Sequence, residues 1–346
     1  MNRLHQKRNS NVMVLVVHEY GASVGKRGNC ILVKTKSGST ELCADKVTAL
    51  QLYPASSITS DAVRLCIEKD IQIVFMEYNG SSIGEVQSFS GGCAPVYKRK
   101  QLSLIENQKG VEIAKSLLIS KLYGRIRFLR KLRRNKRKTD TIQMLDSAIG
   151  KIEEERARIQ QCTGNCIADV RYSLQGYEGT AGRAYFEAIA GLLPEEIGFS
   201  ARSRNAEDVY NNALNYLNGI LYARLKHIVY QCRLDPYIGI MHMDAYNRPT
   251  FVFDLIEGQR YICEELAFRV CSERVVTAAD MEEDSAGRKR FNKAGRQKLT
   301  ASFCDTMQNK CCYKKKHVTQ EKKIQLDILE IARQIAEEEI DVLPVV

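Results

Sequence analysis

The sequence predicts an α+β protein: a small N-terminal β-rich domain over residues 1–90, a linker over 91–98, and a larger all-α domain over 99–346. Three observations lead there. The first ninety residues carry short runs of β-branched and aromatic residues bounded by Gly, Ser, Asn and Lys. Gly91, Gly92 and Pro95 then interrupt the pattern. After Tyr97 the apolar residues take a helical period that holds almost to the end.

In chain order, Val12–Val17, Gly28–Thr35 and Ile71–Tyr78 are the strand runs. Between them, Ser57–Lys69 has helical spacing, with Ile58, Ala62, Val63 and Cys66 on one face and Ser60 or Asp61 near its start. Leu102, Ile105, Val111, Ile113, Ala114, Leu117, Leu118 and Leu122 predict helix leading into a strongly basic stretch. Helices with short breaks follow, with one extended interruption at Asp235–Phe253 that contains Pro236, Gly239 and Pro249. The spacing near Phe251–Phe253 suits a strand or hairpin, and the acidic tail Glu330–Asp341 suits a terminal helix.

Composition excludes several classes. Hydrophobic residues at 44% and charged residues at 27% rule out a disordered chain or a fibre. No apolar run approaches the roughly 18 residues of a membrane span, and Val12–Val17 is too short for a signal-peptide core. A soluble cytoplasmic protein with no membrane partner is expected. Its dispersed cysteines are then reduced, small apolar residues. Cys162 with Cys166, and Cys304 with Cys311, Cys312 and His317, lack the paired close spacing of structural zinc. Cys162 to Cys166 equally suits one helical turn.

Net charge is +11, unevenly spread. Lys121 to Lys138 holds ten basic residues and no acid, and Ser285 to Gln320 holds ten against Asp305 alone. With +19 in these two stretches, the rest of the chain is net −8. Clustered cations on a mildly acidic protein point to a polyanion, nucleic acid first. A solvated helix face is the alternative. Leu122, Ile126, Leu129 and Leu132 provide a docking face that leaves Arg125, Arg127, Arg130, Lys131, Arg133 and Arg134 for DNA. Arg183, Arg288, Lys289 and Arg290 join them as candidates.

Three constellations carry potential chemistry. Gly176-Tyr177-Glu178-Gly179 with Arg183 offers a carboxylate to a metal or phosphate, although a Glu in a first helical turn also serves the helix dipole. His242 ends an apolar stretch and is either a ligand or a structural histidine. Asp254 and Glu257, three apart, share a helix face, or act as a capping box with Asp254 as N-cap. Taken together, carboxylates and one imidazole suit Mg²⁺ or Mn²⁺ better than zinc. On a basic protein this suggests metal-assisted chemistry on a phosphodiester.

The chain resembles the CRISPR adaptation integrases, the family of the first CRISPR-associated protein. The resemblance is carried by Tyr177-Glu178-Gly179, Asn212-Ala213-Leu214-Asn215-Tyr216, Leu234-Asp235-Pro236-Tyr237-Ile238-Gly239, His242 and Asp254-Leu255-Ile256-Glu257-Gly258-Gln259-Arg260. It implies a metal-dependent DNA endonuclease and integrase that inserts spacers into a CRISPR array by transesterification. Glu178, His242 and Glu257 would be the ligands of Mg²⁺ or Mn²⁺, and Asp254 a catalytic-site acid supporting them. Double-stranded DNA (prespacer and repeat) would be the substrate. The chain would act as a homodimer through its β-domain, in complex with the second CRISPR-associated protein. A structure-specific repair nuclease and a non-catalytic nucleic-acid scaffold are the rival readings.

Overall fold

The computed structural model describes residues 13–69, 71–77, 82–86, 95–205, 207–232, 234–284 and 287–336. The chain divides into two compact units between Gly92 and Cys93. The first holds strands β1 (Met13–Val17), β2 (Ser23–Arg27), β3 (Cys30–Thr35), β4 (Gly38–Cys43), β5 (Val47–Leu52), β6 (Ser57–Ile58), β7 (Gln72–Met76) and β8 (Ser82–Val86), with helix α1 (Ser60–Glu68). They form two four-stranded sheets, in the orders β1-β5-β7-β8 and β4-β3-β2-β6. In β3, Ile31 and Val33 alternate inward, as a half-buried strand requires. Thr59 caps α1 by accepting from the Ala62 N–H, and Ala62, Leu65 and Cys66 fill a core with Val24, Leu50 and Ile73. Ser57 and Ile58, expected in that helix, instead pair in parallel with Ser23 and Val24.

The second unit is helical: α2 (Pro95–Ser103), α3 (Gln108–Arg134), α4 (Thr139–Gln161), α5 (Ile167–Ala190), α6 (Val209–Gln231), α7 (Thr250–Glu257), α8 (Arg260–Ser272), α9 (Lys293–Gln308) and α10 (Gln320–Ala336). Two short hairpins interrupt it, β9 (Met281–Glu283) with β10 (Lys289–Phe291), and β11 (Lys310–Tyr313) with β12 (Lys316–Thr319). Among the described residues no helix is long and apolar enough to cross a membrane.

The structure corrects three local expectations. Helix already begins at Pro95, so 95–98 is no linker; residues 91–94, and those of Ser88–Pro95 before Pro95, lie outside the described residues. Phe251–Phe253 is helical rather than a strand, because Thr250, Phe251, Val252, Leu255 and Ile256 are all buried and the helix is wrapped in core. A short run apolar on all sides cannot be told from a buried strand by periodicity. Cys162 ends α4 and Cys166 caps α5, so they flank a connection and do not share a helical turn. The terminal helix runs from Gln320 to Ala336; 337–341 lie outside the described residues.

Two close approaches set up the site. A Cβ at Gly124 would stand 2.2 Å from the Tyr261 ring, so only glycine lets α3 meet α8 there. Lys121, about one turn before that glycine, and Arg125, the residue after it, are then presented to α7 and α8. A Cβ at Gly239 would stand 2.7 Å from the His242 carbonyl oxygen and 2.8 Å from the Thr250 side chain. Glycine therefore lets the 235–249 loop fold onto the start of α7.

Candidate active site

Carboxylates from two helices meet on one ammonium. Glu178 stands midway along α5 and Glu257 ends α7; the Lys121 Nζ donates to Glu178 Oε1 and to Glu257 Oε2, both at 2.6 Å. The Lys121 side chain is 4% exposed, Glu257 11% and Glu178 29%, so the cluster opens to solvent on the Glu178 side. Arg260 lies 3.0 Å from Glu257 Oε1, and Arg125 lies 3.7 Å from Glu178 Oε1.

Burial opposes the ionised form of Glu257, yet Lys121, Arg260 and the nearby His242 hold its carboxyl down at about 2. Burial likewise opposes the charge on Glu178. Lys121 and Arg125 overcome it against the like charge of Glu257, and this carboxyl titrates below its ordinary value.

His242 is held from behind. Asp254, fully buried in α7, accepts the backbone N–H groups of Ile240 (2.5 Å), Met241 (3.1 Å) and His242 (3.1 Å), and its Oδ1 lies 2.7 Å from His242 Nδ1. An ionised carboxylate only accepts, so the ring proton belongs on Nδ1 and the lone pair on Nε2. The loop is pinned at its other end by Gln101 of α2. The buried Gln101 amide donates to the carbonyls of Asp235 (2.7 Å) and Ile238 (2.9 Å) and accepts from the Asp235 N–H (2.9 Å).

This arrangement removes two of the alternatives for the site. Glu178 is not in a first helical turn, so the dipole reading fails. Asp254 lies inside α7, whose N-cap is Pro249, so Asp254 and Glu257 are no capping box. They share a helix but serve different partners: Asp254 fixes His242, and Glu257 faces Lys121 and Arg260.

Among the described residues, no three His, Cys, Asp or Glu side chains are drawn close enough to hold one metal ion. The donor chemistry nevertheless fits a hard divalent cation. Two carboxylates already converge on a single positive charge, and an imidazole with its tautomer set lies within electrostatic reach of one of them.

The predicted DNA contacts fare unevenly. Arg125 is not free: it is 2% exposed, its Nε and Nη2 bind Glu264 at 2.9 and 2.7 Å, and it lies over the Tyr185 and Phe186 rings. Its helical phase turns it inward between Leu122 and Leu129. Arg127, Arg130, Lys131 and Arg133 are exposed, but each also faces an acid: Glu265 for Arg127 and Lys131, Glu153 for Arg130, Asp146 for Arg133. Arg134 is exposed in the last turn of α3, which ends before the basic stretch does at Lys138. Arg183 is exposed on α5, beside Thr180. In the β9–β10 hairpin region Arg288 pairs with Asp284, Lys289 is exposed, and Arg290 donates to the Asn212 side chain at 3.1 Å.

Sequence reasoning missed Lys121, Gln101 and Glu264 as parts of the site. For Lys121 a signal existed. It sits four residues after Leu117 and three after Leu118, on the apolar side of α3, where a lysine needs buried acids to answer it.

The family model described as CRISPR associated protein Cas1 matches residues 15–305. A CRISPR-associated endonuclease Cas1 from Pyrobaculum aerophilum is 30% identical over 260 residues, 75% of this chain and 82% of that protein. A CRISPR-associated protein Cas1 from Methanobrevibacter ruminantium is 27% identical over 274 residues, 78% of this chain and 81% of that one. Among solved structures, a casposase bound to integration product superposes with a TM-score of 0.73 at 20% identity, covering 95% of this chain and 92% of that one. A Cas1 protein from Thermotoga maritima gives 0.72 at 19%, covering 95% and 98%. A Cas6-RT-Cas1–Cas2 complex chain gives 0.73 at 19%, covering 99% of this chain and 37% of that one. With the family model matching most of its length, the chain belongs to the Cas1 family of CRISPR-associated proteins.

Proposed function

We propose that this chain is a divalent-metal-dependent DNA endonuclease and integrase that inserts spacer DNA into CRISPR arrays. Glu178, His242 and Glu257 are its metal ligands, and Mg²⁺ or Mn²⁺ is its ion. The observation that carries this is the meeting of Glu178 and Glu257 on one cation beside an imidazole oriented by Asp254. The neighbouring casposase, bound to integration product, supports joining over cutting alone.

In the reaction a DNA 3′-hydroxyl oxygen bonds to a phosphodiester phosphorus, loses its proton, and the displaced 3′-oxygen takes one up. A bound divalent cation supplies Lewis-acid stabilisation of the phosphoryl oxygens and a lower pKa for the attacking hydroxyl. The chain's own residues do the rest. Asp254 holds His242 with Nε2 as the donor atom, and the depressed carboxyls of Glu178 and Glu257 remain anionic at neutral pH. Arg127, Arg130, Lys131, Arg133, Arg134, Arg183, Arg288, Lys289 and Arg290 contact phosphates without reading sequence. The homodimer and the complex with Cas2 belong to the same reading. The neighbouring Cas1–Cas2 assembly supports the second, and the mass of the purified chain with and without Cas2 checks both.

The test is Mn²⁺-dependent strand transfer of a labelled short duplex. Glu178→Gln should abolish both joining and cutting while DNA binding survives. Full activity in that variant would refute the ligand assignment, and cutting without joining in the native protein would favour a repair nuclease.

A further inference from the structure

Lys121 lies where a metal-binding pair of carboxylates would place its ion. Its ammonium donates at 2.6 Å to one oxygen of each, and its side chain is 4% exposed. A hard divalent cation takes carboxylate oxygens at about 2.0–2.6 Å. The gap spanned by that ammonium cannot hold both cations. Without either, two like charges would face each other, one of them largely out of water.

Resting on the metal-ligand reading above, we propose that Lys121 is a placeholder cation. Its ammonium keeps Glu178 and Glu257 facing each other, and the divalent ion binds by exchange with it. Lys121 is thus a positioning residue for the ligands, and its departure is part of metal loading. The freed ammonium then needs another anion, and a DNA phosphate is the one this chemistry brings to the site.

Mn²⁺ binding to the full chain without DNA tests this, followed by the spectroscopic signal of free Mn²⁺ and by thermal melting. The proteins compared are wild type, Lys121→Met, Lys121→Gln and Glu178→Gln. Both Lys121 variants should bind Mn²⁺ roughly tenfold more tightly than wild type, the factor for a site the ammonium fills about nine-tenths of the time. They should melt below wild type in chelator and gain more from Mn²⁺. Lys121→Gln, which keeps a neutral donor, carries the test if Lys121→Met does not fold. Weaker binding in Glu178→Gln, with unchanged or weaker binding in both Lys121 variants, would overturn the placeholder and leave the ligand reading standing. Equal binding in Glu178→Gln and wild type, or none in wild type, would sink the ligand reading and the placeholder with it.

Discussion

Replacing Asp254 separates the support of the site from its ligands. One buried carboxylate accepts three backbone N–H groups and the His242 Nδ1 proton, with no exposure to solvent. Asp254→Ala leaves four donors without a partner, each costing about 1–3 kcal/mol when buried. The four donors belong to one hydrogen-bond network around a single carboxylate, so their costs do not add. A loss of about 4 kcal/mol is expected, at the upper end of single substitutions. At about 2–4 °C per kcal/mol for a unit of this size, that lowers the melting temperature by roughly 8–16 °C. Asp254→Asn keeps one acceptor oxygen and turns an NH₂ toward either the Ile240 and Met241 donors or the His242 pair. About half the loss is expected. Melting is followed by the helical circular dichroism signal in chelator, so no part of the change comes from metal. An Asp254→Ala protein melting within about 2 °C of wild type would refute the network argument. Lost Mn²⁺ binding at full stability would make Asp254 a ligand.

Neutralising Arg127, Arg130, Lys131 and Arg133 together should reduce the salt slope of duplex binding by about 0.9 for each one that meets a phosphate. Their pairs with Glu265, Glu153 and Asp146 are exposed and weak, so DNA can replace those partners; an unchanged slope would assign these residues to intramolecular pairing. Glu257 has its carboxyl lowered from 4.5 to about 2, so its contribution to stability is complete above 4.5 and disappears as pH falls toward 2. The stability difference between wild type and Glu257→Gln should therefore shrink between pH 5 and pH 3, and a difference that widens on acidification would contradict the sign of that shift.

The two-part fold was legible because period-2 and period-3.6 patterns change over near Pro95, and periodicity depends on burial alone. What escaped was whatever burial on all sides erases. Most of helix α7 is buried, its polar side chains Thr250, Asp254 and Glu257 included, so Phe251–Phe253 looked like a strand. The acids and histidine of the site were legible as residue types, yet the division of labour between Asp254 and Glu257 was not. Three residues apart on a helix predicts a shared face, and only the fold of the 235–249 loop turns Asp254 to backbone donors. Lys121 was hidden differently. Charge counting merged it with nine other cations, although helical phase sets it and Arg125 on the inner side of α3.

Arg125 shows why charge counting and helical phase must be weighed together. A cation in a basic stretch is expected to bind phosphate, but burial opposes its charge and Glu264 more than offsets that, raising its pKa. The Glu264 side chain is 3% exposed, so Arg125→Met strands a buried carboxylate, at a cost of about 3–5 kcal/mol. The double variant Arg125→Met with Glu264→Leu removes both charges and keeps apolar volume against Tyr185 and Phe186. It should recover much of that loss, because an apolar replacement of a buried ion pair is often neutral. Both variants should keep the wild-type salt slope of DNA binding, since a guanidinium 2% exposed meets no phosphate. Chemical unfolding of the single and double variants, beside duplex binding at several salt concentrations, decides the matter. Native stability in Arg125→Met together with a shallower salt slope would return Arg125 to the DNA-binding surface.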